Sequence, residues 1–199
     1  MRFQKMILSL AFLAAAFAPA AVTANTLTFQ GVTFEMFASG NILTLNINNA
    51  LGATDDWLGI QSLASFEVKN VSTNNGTVTS TNTPRDWLYA AGGVNNGGPV
   101  GCGGGDNTSS CFNAMSGGVL DPSPLSNLMT WDIDFGAPIN LAAPSLKVLF
   151  LDGDGEKQGS LLSMTVPVPE PEIYAMMGIG LAVLGWLGRR KKAEEDVPA

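Results

Sequence analysis

Three carboxylates stand close together in Asp152-Gly-Asp-Gly-Glu156, and the chemistry they offer is calcium binding. Ca²⁺ takes about six to eight oxygen ligands, which closely spaced carboxylates in a loop can supply. The EF-hand pattern is not met, because Lys157 stands where that pattern requires glycine. Asp-Gly pairs between two strands also form hairpin turns. A turn is therefore the favoured interpretation, with Asp152, Asp154 and Glu156 as a weak calcium candidate.

Aromatic side chains stand beside charged ones in residues 55–57 and again in residues 85–89. Aromatic rings next to carboxylates can stack on a sugar and hydrogen-bond its hydroxyl groups. Large aromatic side chains in a β-rich protein more often pack in the core or at its rim. The sequence therefore favours packing, and the alternative is a carbohydrate-binding groove lined by Trp57, Trp87 and Tyr89. No pair of carboxylates stands out for glycoside hydrolysis.

The composition offers little for nucleophilic or metal chemistry. The chain contains no histidine, which excludes His-dependent triads and His metal sites. Its two cysteines, Cys102 and Cys111, are too few for a four-ligand zinc site. In an oxidising compartment they favour a structural disulfide, and the alternative of a redox pair lacks CxxC spacing. We therefore predict no catalytic residue, no cofactor and no enzymatic activity.

The charge balance excludes another class of partner. Residues 25–168 carry twelve acidic and four basic side chains. A body of this sign is repelled by phosphate backbones, so nucleic-acid binding is not expected.

Alternation of apolar and polar residues dominates the region between the two chain ends. The period is two in Ile42–Asn48 and again in residues 129–135, which is typical of half-buried strands. Residues 146–151 are almost wholly apolar, which predicts a strand covered on both faces. Gly, Asn, Ser and Pro clusters separate the strands. The pattern predicts one all-β domain over residues 25–167, an antiparallel β-sandwich of jelly-roll type.

One segment interrupts this rhythm. Residues 92–118 contain ten glycines and enclose both cysteines. Because glycine leaves the backbone conformation open, we expect a long loop here, restrained by the Cys102–Cys111 bridge.

The N-terminal segment has the organisation of a secretory signal peptide. Arg2 and Lys5 precede an apolar stretch of twelve residues, 6–17, and residues 22–24 provide small side chains for signal peptidase. Twelve apolar residues are too few to span a bilayer. We therefore predict a signal peptide over residues 1–24 and an exported mature chain that begins at Asn25.

The C-terminal segment combines three features in a fixed order. Pro169-Glu170-Pro171 precedes a mostly apolar run, residues 173–188, and the basic cluster Arg189, Arg190, Lys191 and Lys192 follows. As a helix the run would cover about 24 Å, against a hydrocarbon core of about 30 Å, so we expect a marginal transmembrane anchor in the inner membrane. The cations would hold the C-terminus in the cytoplasm, and an acidic tail, 193–199, ends the chain.

The two prolines can be interpreted in two ways. Proline biases the residue before it toward an extended conformation, which would present an extended strip at the membrane surface. Proline is also common at a helix start, where Glu170 and Glu172 would favour the positive end of the helix dipole. The physical properties of these residues alone do not separate the two.

The order of these features over residues 168–192 resembles the PEP-CTERM protein-sorting signal of Gram-negative bacteria that make exopolysaccharide. The resemblance implies that the protein is the substrate of an exosortase, a multi-spanning membrane transpeptidase that recognises Pro169-Glu170-Pro171. It implies release or attachment of the body at the cell envelope or in extracellular matrix, where exopolysaccharide is an expected partner. A structural or adhesive body fits this role best. The alternatives are a permanently anchored periplasmic β-domain and an exported carbohydrate-binding domain.

Overall fold

The structure is a computed structural model of the chain. It describes residues 25–73, 75–94, 101–103, 109–159 and 162–166, together with Gly178 and Leu181. The chain divides into two compact units, Met1–Val168 and Pro169–Ala199. The predicted signal peptide, residues 1–24, lies outside the described residues.

The first unit is built from β-strands. In chain order they are β1 Asn25–Phe29, β2 Val32–Ser39, β3 Ile42–Asn48, β4 Ser62–Lys69, β5 Thr77–Thr81, β6 Asp86–Ala90, β7 Ser109–Ser116, β8 Val119–Leu120, β9 Ser123–Pro124, β10 Leu128–Asp134, β11 Ser145–Leu151 and β12 Leu162–Thr165. The first sheet has the order β1-β2-β3-β10-β5. The second has the order β12-β11-β4-β7-β6, with β8 paired to β7 and β9 paired to β4. Every described strand pairing is antiparallel.

Strands β3 and β10 show how the alternating sequence produces a two-faced sheet. They pair over their full length, with Leu45 opposite Trp131 on the buried face. On the other face Asn46 lies opposite Thr130, whose hydroxyl group donates to Asn46 Oδ1 at 2.9 Å. Because side chains alternate along a strand, one face enters the core and the other presents hydrogen-bonding groups.

Aromatic rings join the two sheets. The ring of Phe66, on β4, lies 5.0 Å from that of Trp131, on β10 of the other sheet. It also lies 5.1 Å from both Trp87 and Phe112. All four side chains are buried, so the sheets pack face to face around one main core.

Strand β11 is covered on both faces, as its apolar sequence predicts. Phe150 belongs to the main core between the sheets. Leu149 and Leu151 point the other way and form a second, smaller cluster with Val94 and Cys111. The second sheet is therefore partly covered on its outer face.

The prediction of a loop over residues 92–118 is wrong for its second half. Ser109–Ser116 forms β7, which lies between β4 and β6 in the second sheet. Its residues 109–112 and 114 are buried despite their high serine content. Pairing on both sides compensates for the weak strand propensity of this stretch, because tertiary context dominates β-propensity.

The expected fold class is confirmed as all-β, with antiparallel sheets consistent with a sandwich. The strand order begins with a meander, β1-β2-β3, rather than with the paired Greek keys of a jelly roll. The prediction therefore holds at the level of an antiparallel sandwich.

Candidate functional site

The acidic group at residues 152–156 forms a tight turn after β11. Asp152 Oδ1 accepts hydrogen bonds from the backbone N–H groups of Asp154, at 2.9 Å, and Glu156, at 3.0 Å. Its own N–H group donates to the Glu156 carbonyl oxygen at 2.9 Å. Among the described residues, no three Asp, Glu, His or Cys side chains form a group that could hold a metal ion. The geometry favours the turn over the calcium candidate, because Asp152 Oδ1 already accepts two hydrogen bonds from the backbone of the same turn.

The favoured packing interpretation is confirmed for Trp57 and Trp87, and the alternative of an aromatic groove is not formed. Trp57 is 1% exposed, and its ring packs 5.0 Å from that of Phe150. Trp87 is 4% exposed, and its Nε1–H group donates to Thr83 Oγ1 at 2.8 Å. Tyr89 is 37% exposed and remains partly available. Two of the three rings are core residues, so the carbohydrate-binding alternative loses its main basis.

Residues 94 and 102 of the glycine-rich segment lie on the outer face of the second sheet. Val94 and Cys102 form an antiparallel bridge with each other. A disulfide joins Cys102 to Cys111 on β7, with the two Cα atoms 5.8 Å apart, which supports the predicted structural bridge. The N–H group of Cys102 donates to Asn113 Oδ1 at 2.8 Å. The bridge therefore ties this segment to a central strand.

Glu67 is a buried carboxylate beneath this segment. It is 1% exposed, and its Oε2 atom accepts a hydrogen bond from the Val94 N–H group at 2.7 Å. Lys69 Nζ lies 2.9 Å from the other oxygen, Oε1. Lys147, opposite Glu67 on β11, donates from Nζ to the Val94 carbonyl oxygen at 2.7 Å. Both polar groups of the Val94 backbone are thus satisfied by charged side chains of the sheet.

Gly93 makes this close approach possible. A Cβ atom at this position would lie 2.8 Å from Glu67 Oε2, which is closer than real contacts allow. The arrangement was not predicted from the sequence. Glu67 alternates with the apolar Phe66 and Val68 along β4, a pattern that ordinarily places a charged side chain on the solvent face, so its burial depends on the docked segment.

A cleft of about 610 Å³ lies at one end of the described body. Two connecting segments and the start of β7 supply its lining, which includes Asn70, Asn75, Ser109, Ser110 and Asn140. The Asn140 N–H group donates to the Val71 carbonyl oxygen at 2.9 Å, which ties two of these segments together. The described lining offers hydrogen bonds to neutral polar molecules and contains neither a charged side chain nor an aromatic ring.

The described body ends where the C-terminal motif begins. Strand β12 pairs with β11 from Val148↔Leu162 to Ser145↔Thr165. Val166 continues this ladder, because its N–H group donates to the Pro144 carbonyl oxygen at 2.9 Å, and its side chain is fully buried in the main core. In the sequence only Pro167 and Val168 separate it from Pro169.

A family model described as the PEP-CTERM protein-sorting motif matches residues 167–192. The chain carries a PEP-CTERM sorting motif. This confirms the resemblance seen in the sequence, with a match that begins directly after Val166. No curated protein matches the chain, and no solved structure does.

A PEP-CTERM motif implies an exported, sorted protein and exosortase-related processing in general. The motif residues Pro169, Glu170 and Pro171 and the basic cluster 189–192 lie outside the described residues. Of the predicted membrane anchor, residues 173–188, the structure describes Gly178 and Leu181, both helical. Within the described part of the chain, no helix is long and apolar enough to cross a membrane.

Proposed function

We propose that this protein is an exported cell-envelope or matrix component whose delivery depends on exosortase processing at Pro169-Glu170-Pro171. The observation that carries the proposal is the PEP-CTERM motif at residues 167–192. In this role the chain is a substrate and not an enzyme. Residues 173–188 anchor the precursor in the inner membrane, and the basic cluster 189–192 stops its translocation.

The body supports a structural or adhesive role. Its two sheets bury one main hydrophobic core, and a disulfide ties down its glycine-rich segment. Disulfides persist in exported compartments, which fits delivery outside the cytoplasm. The body begins with β1 at Asn25, the first residue after the proposed signal peptidase site, and the Asn25 side chain donates from Nδ2 to the Leu141 carbonyl oxygen at 3.1 Å. Surrounding exopolysaccharide is the proposed environment of the delivered body.

The proposal is tested by the substitution Glu170→Ala in cells that naturally make the protein. We expect full-length protein to accumulate in the inner membrane fraction, because the enzyme no longer recognises its motif. Glu172→Ala is the matched control, since it removes an equal charge two positions away and leaves Pro-Glu-Pro intact. Fractionation and intact mass measure the outcome.

Two results would overturn the proposal. Equal processing of Glu170→Ala and wild type would mean that the motif does not direct delivery. A wild-type protein that keeps residues 189–192 at its destination would instead identify a permanently anchored β-domain.

A further inference from the structure

Strand β12 is the last strand before the sorting motif in the sequence, and among the described strands it pairs with one neighbour. It contributes four residues, and its one described partner is β11. Strand β11 pairs with β4 along seven positions on its other side. Loss of β12 would therefore leave every other described strand pair intact, because β12 is last in the chain and at the end of the sheet order.

The length of chain between the body and the motif is short. Three peptide steps join Val166, which is buried in the core, to Pro169. Fully extended, they span roughly 11 Å. A single helix with its side chains is about 10–12 Å across. The extended link from Val166 to Pro169 is therefore only as long as one helix of a membrane enzyme is wide. An enzyme whose active site encloses the extended motif would therefore clash with the folded body before the whole motif had entered the active site.

Release of β12 removes this conflict. If the chain leaves the body after Gly159, the last described residue before β12, ten peptide steps lead to Pro169. They reach roughly 35 Å when extended. A terminal edge strand is the kind of element that opens locally while the rest of the fold stays closed.

We propose that β12 detaches from β11 to present the sorting motif, so that processing proceeds through a locally opened form of the body. This inference rests on the proposed function. It assigns a second task to residues 162–166, which complete the sandwich in the resting precursor and serve as the spacer during processing.

The ladder geometry identifies a cross-link that blocks this opening. The hydrogen bond from Val166 to Pro144 makes 144/166 a hydrogen-bonded pair. Pair types alternate in an antiparallel ladder, so Ser145/Thr165 is a non-hydrogen-bonded pair, with a typical Cα separation of about 4.5 Å. That separation is within the range for disulfides. The double substitution Ser145→Cys/Thr165→Cys therefore joins β11 to β12 across the strand that must open.

The experiment follows processing of full-length protein in its native cells by pulse-chase and intact mass. We expect the cross-linked variant to be processed at least about tenfold more slowly than wild type, because the opened form is lost. Insertion of Gly-Ser-Gly-Ser-Gly-Ser between Val166 and Pro167 restores reach without opening the strand. It should return the cross-linked variant to the wild-type rate.

Two controls separate opening from other effects of a new disulfide. Asn46→Cys/Thr130→Cys joins β3 to β10 and should be processed like wild type. The Asn49 N–H group donates to the Asn127 carbonyl oxygen, so 49/127 is a hydrogen-bonded pair. Because pair types alternate, 46/130, three positions along the ladder, is a non-hydrogen-bonded pair. The single substitutions Ser145→Cys and Thr165→Cys should also behave like wild type. Thiol alkylation verifies each bridge, and protease resistance verifies that each body is folded.

The outcomes distinguish this inference from the function on which it rests. Wild-type processing of the verified β11–β12 cross-link, together with arrest of Glu170→Ala, would overturn strand release and leave sorting intact. If the cross-linked variant is processed slowly and the inserted spacer does not restore the wild-type rate, strand release would also be overturned. Normal processing of Glu170→Ala would overturn the proposed function itself.

Discussion

The body and the C-terminal sorting segment depend on different kinds of sequence information. The body is held by residues that are far apart in the chain, such as Phe66 and Trp131, whose rings lie 5.0 Å apart. The sorting motif occupies one contiguous stretch, residues 167–192. We therefore expect that the stability of the body and the delivery of the protein can be changed separately. Away from the β11–β12 pair, substitutions in the body should change the free energy of unfolding, and substitutions in the motif should change the location of the protein.

The largest effect on the body is expected from Trp131→Ala. This side chain is fully buried and packs against both Phe66 and Trp87, so its removal leaves a cavity between the sheets. Large-to-small changes of this kind cost about 3–5 kcal/mol. Denaturant unfolding of the purified protein measures the change. Leu88→Ala, on a side chain that is 53% exposed, is the control and should stay within about 0.5 kcal/mol of wild type. Equal stability of the two variants would contradict a core shared by both sheets.

An intermediate effect is expected from removal of the disulfide. The bridge closes a loop with a sequence separation of nine residues. Chain-entropy arguments give about 2–3 kcal/mol for a loop of this size. The double substitution Cys102→Ala/Cys111→Ala should lower the unfolding free energy by that amount, and treatment of wild type with a reductant should do the same. Unchanged stability in both would mean that the bridge does not restrain the glycine-rich segment.

A smaller effect is expected from Gly93→Ala. The new methyl group would lie 2.8 Å from Glu67 Oε2 and push the Val94 backbone away from the sheet. Overpacking of this kind costs about 1–3 kcal/mol. Gly103→Ala is the matched control in the same segment, because a Cβ atom there meets nothing within 4 Å. Thermal unfolding should separate the two variants, and equal melting temperatures would contradict docking onto Glu67.

These body variants also sharpen the comparison of the two regions. Gly93→Ala should be cleaved at the same sites as wild type, so that its mature mass differs only by the added methylene group, because the motif and β12 are unchanged. A body variant that remained folded yet stalled in the membrane fraction would show that delivery depends on more than the C-terminal segment and the strand before it.

The sequence predicted some elements of the body well, for identifiable reasons. Strand β3 was predicted with its observed bounds, because its leucine and isoleucine residues alternate with polar ones. Strand β11 was predicted as covered on both faces because nearly all its residues are apolar. The sorting motif could be identified because its order of residue types is local.

Other elements depended on contacts that a pattern does not encode. Strand β7 was taken for loop because it lies within the glycine-rich residues 92–118, and its pairing with both β4 and β6 is what makes it a central strand. Burial of Glu67 follows from the segment that docks on it, more than twenty residues further along the chain. The sequence favoured packing for Trp57 but did not identify its partners, the rings of Phe29 on β1 and Phe150 on β11.

The central claim is that residues after the Pro-Glu-Pro motif act as a removable delivery signal. Its most direct test is the intact mass of the protein recovered outside the inner membrane of its native cells. We predict a product that begins at Asn25 and lacks the basic cluster 189–192. If the only mature product found still contains Lys192, the claim would be contradicted.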